Sequence, residues 1–478
     1  MSNTRGLKLA LIDPDEKALK INLDKSIYGS FAEIGAGQEV ARHFFRVGAA
    51  AGTVAKTMSA YDMAMSDAIY GKERSGRYVC ESRLKKMLSH EYKLLETRLT
   101  DEKYEGIKFF VFADTVAAKA YGSDRPGHGW LGLKFQHEDD SAPSWVHLHV
   151  HLYDNQNYLQ QEVLGRIGVN LIYACFYYLG KREKFIESLM DDLNIERVEI
   201  DMIRVEGEAF KNEDPRLFNL ELIKRQYSQA VMFDESGKVC QPSEVLYKKM
   251  PLVLRGSFRP PTFVNFDMMK QGLAAIKDNT PKGEHKKIIV IPEISMAKFL
   301  ERGMVENEDF LTRVDLLNAL GQKVLITNKE SFSELNSYLM ELTRETISFV
   351  VGIYNLQHIF DPKSYSKHPH GELMAIGELF SKRTQMFVYP GRDEDSKQIL
   401  TAENTKISSC LNMIRAQLLE QGKIKNIPHY NPRYFTIWSR EVVKMIENCE
   451  SGWEKMVPKL VANAVKKKSL FGHFCKIK

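Results

Sequence analysis

The chain has no CxxC pair, no apolar run of eighteen residues, no internal repeat, no low-complexity tract and little net charge. Each absence removes a class of protein. Its six cysteines, Cys80, Cys175, Cys240, Cys410, Cys449 and Cys475, lie far apart. That spacing reads as reduced thiols in a cytoplasmic protein, not as a disulfide scaffold or a zinc finger. The most apolar stretch, Ile167 to Leu179, is too short to cross a bilayer and reads as a buried helix, so no transmembrane segment is expected. Met1-Ser-Asn-Thr-Arg5 leads into mixed charge without the apolar core of a signal peptide. The alternating ten-residue segments of an outer-membrane barrel are missing too. Net charge is only +5, and from Trp453 onward seven lysines (Lys455, Lys459, Lys466, Lys467, Lys468, Lys476 and Lys478) face one acid, Glu454. The body is therefore close to neutral, and neither DNA nor RNA is an expected partner. The basic tail reads as a solvated, frayed end, with contact to an acidic partner or a membrane surface as the alternative. No catalytic triad, Walker loop or kinase signature occurs.

What is present is a change of pattern along 478 residues, enough for two or three domains. Residues 1–100 read mainly as helix. Strand-like runs follow at 107–112, 130–135 and 145–153, then a long helix at 156–191, a strand at 197–204, a helix at 217–229 and a strand at 230–233. This gives a mixed α+β N-terminal domain over 1–247. From 248 to 420, apolar strands (251–255, 286–291, 322–327, 347–352, 385–389) alternate with helices (266–277, 307–320, 331–343, 371–382). Strands that are apolar throughout and separated by helices imply a Rossmann-like, doubly wound parallel sheet covered on both faces. Residues 421–478 read as C-terminal helices and the basic tail.

Within the second domain, Arg255-Gly-Ser-Phe-Arg-Pro-Pro-Thr-Phe-Val-Asn-Phe-Asp267 joins a strand to a helix. A helix N-terminus behind such a turn presents unpaired N–H groups to an anion. Leu311-Thr-Arg-Val-Asp-Leu-Leu317, Val351-Gly-Ile-Tyr-Asn355 and Ile407-Ser-Ser-Cys-Leu-Asn-Met-Ile-Arg415 follow in order. Together these four pieces resemble the nucleotidylyltransferase superfamily, closest in pattern to phosphopantetheine and nicotinate-nucleotide adenylyltransferases. The whole chain is also loosely similar to a bacterial family that carries the label nicotinate-nucleotide adenylyltransferase or, in conflict with the missing barrel pattern, TonB-dependent receptor. The resemblance implies ATP with Mg²⁺, a phosphate-bearing acceptor such as nicotinate mononucleotide, and release of pyrophosphate. It implies nucleotide binding by Gly256, Ser257, Phe258, Gly352, Ser408, Ser409 and Arg415, and catalytic positions at Thr262, Asn265 and Arg259. Gly256 would let the backbone approach the phosphates, Thr262 would donate to a phosphate oxygen, and Arg415 would reach the β- or γ-phosphate. The family signature has His where this chain has Asn265, Gly at Val264 and Asp at Arg259. Asn donates a hydrogen bond but carries no charge, a loss of about 2–4 kcal/mol at the transition state. Two readings stay open: a nucleotidyl transferase with a degenerate signature, and an inactive relative acting as a structural, self-assembling (homo-oligomeric) or regulatory protein.

The N-terminal half offers weaker signals. His147, His149 and His151 alternate on one strand and share a face. At about 7 Å spacing, two but not all three can reach one ion. A polar sheet face is the expectation, with metal binding as the alternative and no structural metal assigned. Arg74, Arg77, Arg83, Lys85 and Lys86 around Tyr78 read as a helix surface paired with acids, or as a phosphate receptor. Asp114 ends a strand, a fair site position in an α/β fold. Gly122 to Trp130 is a glycine-rich loop carrying Asp124, Arg125 and His128. Gly29-Ser-Phe-Ala-Glu-Ile-Gly-Ala-Gly-Gln38 echoes the signature and reads as close helix packing by small residues, or as a glycine-rich helix start that cradles an anion.

Overall fold

The computed structural model describes residues 13–74, 76–120, 122, 125–297, 307–393 and 395–473. The chain divides into two compact units, Met1–Gln229 and Ala230–Lys478.

The first unit runs α1 (Pro14–Leu23), β1 (Ile27–Gly35), α2 (Val40–Arg46), β2 (Val54–Ala60), α3 (Met63–Tyr70), α4 (Glu81–Arg98), β3 (Lys108–Ala117), β4 (Gly127–Phe135), β5 (Ser144–Leu152), α5 (Asn157–Tyr177), α6 (Arg182–Leu189), β6 (Val198–Glu206) and α7 (Arg216–Lys224). Its sheet has the order β2-β1-β3-β4-β5-β6. The β2, β1 and β3 strands are parallel, and the rest are antiparallel. One sheet face packs on α1, α2 and α5 through Phe31, Phe112, Leu148, Val150, Ile167 and Leu171. The α4 helix covers part of the other.

Two sequence readings change here. Residues 1–100 are not mainly helical, because β1 and β2 lie among the helices. The β1 strand is buried on both faces, so it has no alternating pattern to betray it. The helix read at 156–191 is two helices. It breaks at Gly180, whose φ of +69° places it in the left-handed region that ends helices.

The second unit runs β7 (Ala230–Phe233), β8 (Val239–Cys240), α8 (Pro242–Leu246), β9 (Met250–Arg255), α9 (Phe263–Asp278), β10 (Ile288–Ser295), α10 (Asn307–Ala319), β11 (Val324–Thr327), α11 (Phe332–Leu342), β12 (Ile347–Gly352), α12 (Ile353–Ile359), α13 (Gly371–Leu379), β13 (Thr384–Tyr389), a small hairpin of β14 (Gly391–Arg392) and β15 (Ile399–Leu400), α14 (Asn412–Glu420), β16 (Ile424–Asn426), α15 (Ser439–Glu447) and α16 (Lys459–Lys468). The main sheet has the order β16-β13-β12-β9-β10-β11-β7-β8. Its parallel part, β11-β10-β9-β12-β13-β16, is the doubly wound order that reverses direction between its first and fourth strands. The reversal lies between β9 and β12. Residues 230–247, read with the N-terminal half, contribute β7 and β8 to this sheet, with β7 antiparallel to β11. Residues 421–478 are not helical alone, since β16 pairs in parallel with β13.

The α16 helix, read as a frayed basic end, is docked through buried Val461, Ala462 and Val465; Lys476 and Lys478 lie outside the described residues. Cys80, Cys175, Cys240 and Cys410 are free thiols. Cys449 is disulfide-bonded, against the expectation of reduced cysteines throughout. Sequence separation does not tell which thiols approach within bonding distance. Among the described residues, no helix is long and apolar enough to cross a membrane.

Candidate functional site

A cleft of about 1050 Å³ opens at the carboxyl ends of β9 and β12, where the strand order reverses. Open α/β sheets bind ligands at this place. Gly256 and Ser257 line it from the turn after β9, Asn265 from the first turn of α9, and Gly352 from the end of β12. Exposed Lys363, Arg392 and Arg440 also line it, together with acids such as Glu330 and Glu334.

Three of the four motif pieces meet here. Arg313, on α10, donates from Nη1 to the Ser257 carbonyl at 3.4 Å, which ties the second piece to the first. Its guanidinium is buried and also bonds Asp309. Gly352 brings in the third piece.

The remaining residues that the resemblance implies lie elsewhere. Thr262 is fully buried and is the N-cap of α9. Its hydroxyl and its N–H both donate to Asn265 Oδ1, each at 2.9 Å, so the pair forms a capping box. The Phe263 N–H, another donor of the same helix end, is taken by the Met456 carbonyl. Phe258 is buried beneath the turn with φ +47°, its ring 3.2 Å from where a Cβ on Gly256 would stand. Arg259 pairs with Asp309 at 2.7 Å and lies over the Phe471 ring. Ser408 sits 3.1 Å from Cys410 Sγ, Ser409 begins a 3₁₀ turn, and Arg415 donates to the Thr405 carbonyl at 2.6 Å. None of Thr262, Phe258, Arg259, Ser408, Ser409 or Arg415 lines the cleft.

The end of β9 is fixed by a buried ion pair. Arg255 Nε and Nη2 lie 2.6 and 3.0 Å from the two oxygens of Glu293, which is fully buried on β10 and also accepts from Thr327 at 2.6 Å.

The first unit holds two further polar clusters on opposite sheet faces. On one face Glu33 of β1 stands beside Asp114 of β3 in the parallel register. Both are buried. Glu33 accepts from the N–H groups of Val40 and Ala41 at 2.8 and 3.3 Å. The glycine-rich start of α2 therefore does not wait for an outside anion, because Glu33 fills it. Gly37 is required here, since a Cβ would lie 2.4 Å from the Asp114 carboxylate. Burial, with repulsion from Glu39, raises the Glu33 carboxyl to about 7 against those N–H bonds. Burial and the neighbouring Glu33 push Asp114 up as well.

On the other face, the three histidines of β5 divide. His147 Nδ1 lies 3.3 Å from Glu81, which also bonds Arg204 at 2.5 Å. Although burial opposes it, His147, Arg204 and Lys85 hold Glu81 down to about 2. His149 Nδ1 lies 2.6 Å from Asp201 Oδ1, and His151 Nε2 lies 3.1 Å from Asp201 Oδ2. Burial opposes ionisation of Asp201, yet the two imidazoles hold its carboxyl below the usual range. His128, at the start of β4, places Nδ1 3.3 Å from His149 Nε2. Burial, then His149 and His151, push His128 down to about 4.

Asp201 was not singled out from the sequence. The β5–β6 ladder pairs His149 with Met202 and Val150 with Ile200, so Asp201 is the extra residue of a bulge. Asp201 follows Glu199, the partner of His151, by two residues and so shares its face by simple alternation, while the bulge places Met202 opposite His149 as well.

Within the basic cluster around Tyr78, Arg83, Lys85 and Lys86 are paired with acids. Arg83 meets Asp67 at 2.8 Å, and Lys86 meets Glu73 at 2.7 Å. Asp124 lies outside the described residues.

No family model matches the chain, and no curated protein matches it in sequence. Solved structures resemble part of it in fold. The competence/damage-inducible protein CihA from Agrobacterium tumefaciens is 18% identical over 37% of this chain and 99% of its own, with a TM-score of 0.27. A competence-damaged protein (CinA) superfamily protein from Enterobacter cloacae is 12% identical over 36% and 96%, with a TM-score of 0.27. One from Escherichia coli is 12% identical over 35% and 95%, with a TM-score of 0.25. These are partial likenesses of fold and carry no argument about function.

Proposed function

We propose that the second unit binds a nucleotide in the cleft between β9 and β12, with its phosphates toward the Gly256-Ser257 turn and Gly352. The observation that supports this most is convergence. Gly256, Ser257, Asn265 and Gly352 come from separated segments and line one cleft at the strand-order reversal.

Binding without adenylyl transfer is the reading the geometry favours. Transfer needs donors or charge aimed at the α-phosphate. Asn265, held through Oδ1 by Thr262, has only an uncharged amide Nδ2 to donate, and Arg259 is paired with Asp309 outside the cleft. Ser408, Ser409 and Arg415 are engaged away from it.

Calorimetric titration of the full chain with ATP and Mg²⁺ tests the reading. The expected result is saturable binding of one ATP, weakened at least about tenfold by Gly352→Phe. The new ring enters open cleft, since the nearest atom to a Cβ there is Met268 Cε at 3.8 Å. Absence of ATP binding overturns the proposal. Pyrophosphate release with a phosphate-bearing acceptor such as nicotinate mononucleotide replaces it with the transferase reading.

A further inference from the structure

The cluster on the first unit's outer sheet face has the composition of a metal site. His149, His151 and Asp201 each offer one ligand atom, and all three atoms lie within 4.8 Å of one another. We infer that they bind one divalent cation of the zinc class, through His149 Nδ1, His151 Nε2 and the Asp201 carboxylate, with a fourth position left to water.

The donor set argues for this ion class. Two neutral imidazoles and one carboxylate suit zinc and its first-row neighbours, whereas magnesium and calcium prefer oxygen alone. Three protein ligands with an open position is the arrangement of catalytic rather than structural zinc sites.

The distances fit an ion replacing protons. Around a tetrahedral ion with bonds of about 2.0–2.1 Å, neighbouring donors stand roughly 3.3–3.4 Å apart. His151 Nε2 is already 3.1 Å from Asp201 Oδ2, while His149 Nδ1 approaches the other oxygen, Oδ1, so the carboxylate meets the ion through both oxygens or turns to offer one. The 2.6 Å between His149 and Asp201 is that of a proton-bridged pair. It opens by less than about 1 Å when an ion takes the proton's place.

The backbone shows why three ligands gather and not others. His149 and His151 share a face because they are two apart on β5. Their partner strand presents Asp201, two residues after Glu199 opposite His151, and the bulge crowds Met202 in beside it opposite His149. His147, on the same face, is drawn off by Glu81 on α4. His128 completes the outer layer. With His149 Nδ1 on the ion, its Nε2–H points at His128 Nδ1, 3.3 Å away. Such a partner fixes the tautomer and orientation of a ligating histidine. Asp201 and His149 are buried, while His151 remains 22% exposed, which gives an ion a way in from solvent.

The test uses the untagged full chain, stripped with chelator and dialysed. Calorimetry with zinc is expected to give one ion per chain, and magnesium none. Cobalt is expected to give the intense visible bands of a low-coordinate site in place of the faint ones of the aqueous ion. His151→Gln or Asp201→Asn is expected to weaken zinc by at least about 100-fold. His128→Gln acts through His149 and costs about 10- to 100-fold. His147→Gln leaves zinc affinity unchanged. Circular dichroism of each variant checks folding, and zinc should raise the melting temperature of the parent but not of His151→Gln. The inference is overturned if the parent binds neither zinc nor cobalt at millimolar concentration. It is equally overturned if folded His151→Gln and Asp201→Asn both bind as the parent does.

Discussion

Both units bury carboxylates near the carboxyl ends of parallel strands, but they neutralise them differently. In the second unit Glu293 meets the Arg255 guanidinium through two contacts and Thr327 through a third. In the first unit Glu33 and Asp114 sit side by side, and among the described residues neither is recorded in an ion pair. Their charge is reduced by holding a proton and by the N–H groups at the start of α2. A fixed guanidinium gives a rigid strand end on which a binding cleft is built. A carboxyl that holds a proton gives a strand end whose stability depends on pH.

The largest expected effect breaks the first solution. Arg255→Met leaves Glu293 buried without its cation, which costs about 3–5 kcal/mol. Loss of amide-exchange protection in β9, β10 and β12 is the measurement. Adding Glu293→Met should recover most of the loss, because removing both charges is far less costly than removing one.

The next effect reads the second solution. Glu33 keeps its proton to about 7 in the folded chain, against 4.5 for an unperturbed glutamate. Between those values the folded state binds more protons than the unfolded one, so stability falls as pH rises. The contribution is full below about 4.5 and lost through about 7, on the order of 3 kcal/mol. Exchange protection of β1 and β3 across this range is expected to show it, and Glu33→Gln should flatten the slope.

The smallest effect concerns the cap. Thr262→Ala removes the hydroxyl that bonds Asn265 and should cost the second unit about 1 kcal/mol. The denaturation midpoint checks this, and β1 and β3 exchange should not change.

How legible the molecule was in its sequence differs between the units for the same physical reason. The second unit's strands are short apolar runs separated by amphipathic helices, and that pattern has one common solution. The turn at Gly256 and the loop at Gly352 follow strands whose ends could be read, so their meeting was foreseeable. Ser408, Ser409 and Arg415 lie beyond the last clear β/α repeat, where nothing in the pattern fixes which way a 3₁₀ turn faces. In the first unit, β1 hides between helices because small residues such as Gly29 and Ala32 carry no strand preference. The histidine ladder was visible at once. Its carboxylate was not, because nothing in the sequence says which residue of β6 lies opposite His149, and the bulge brings both Asp201 and Met202 there.

That break has a genetic side. Between His149 and Val150 the β6 strand holds one residue more than its partner needs. Relative to an unbroken ladder, the strand carries the equivalent of a single inserted codon. Removing the Asp201 codon would restore regular pairing yet take the acid from the histidines, whereas removing the Met202 codon would restore it and leave Asp201 opposite His149.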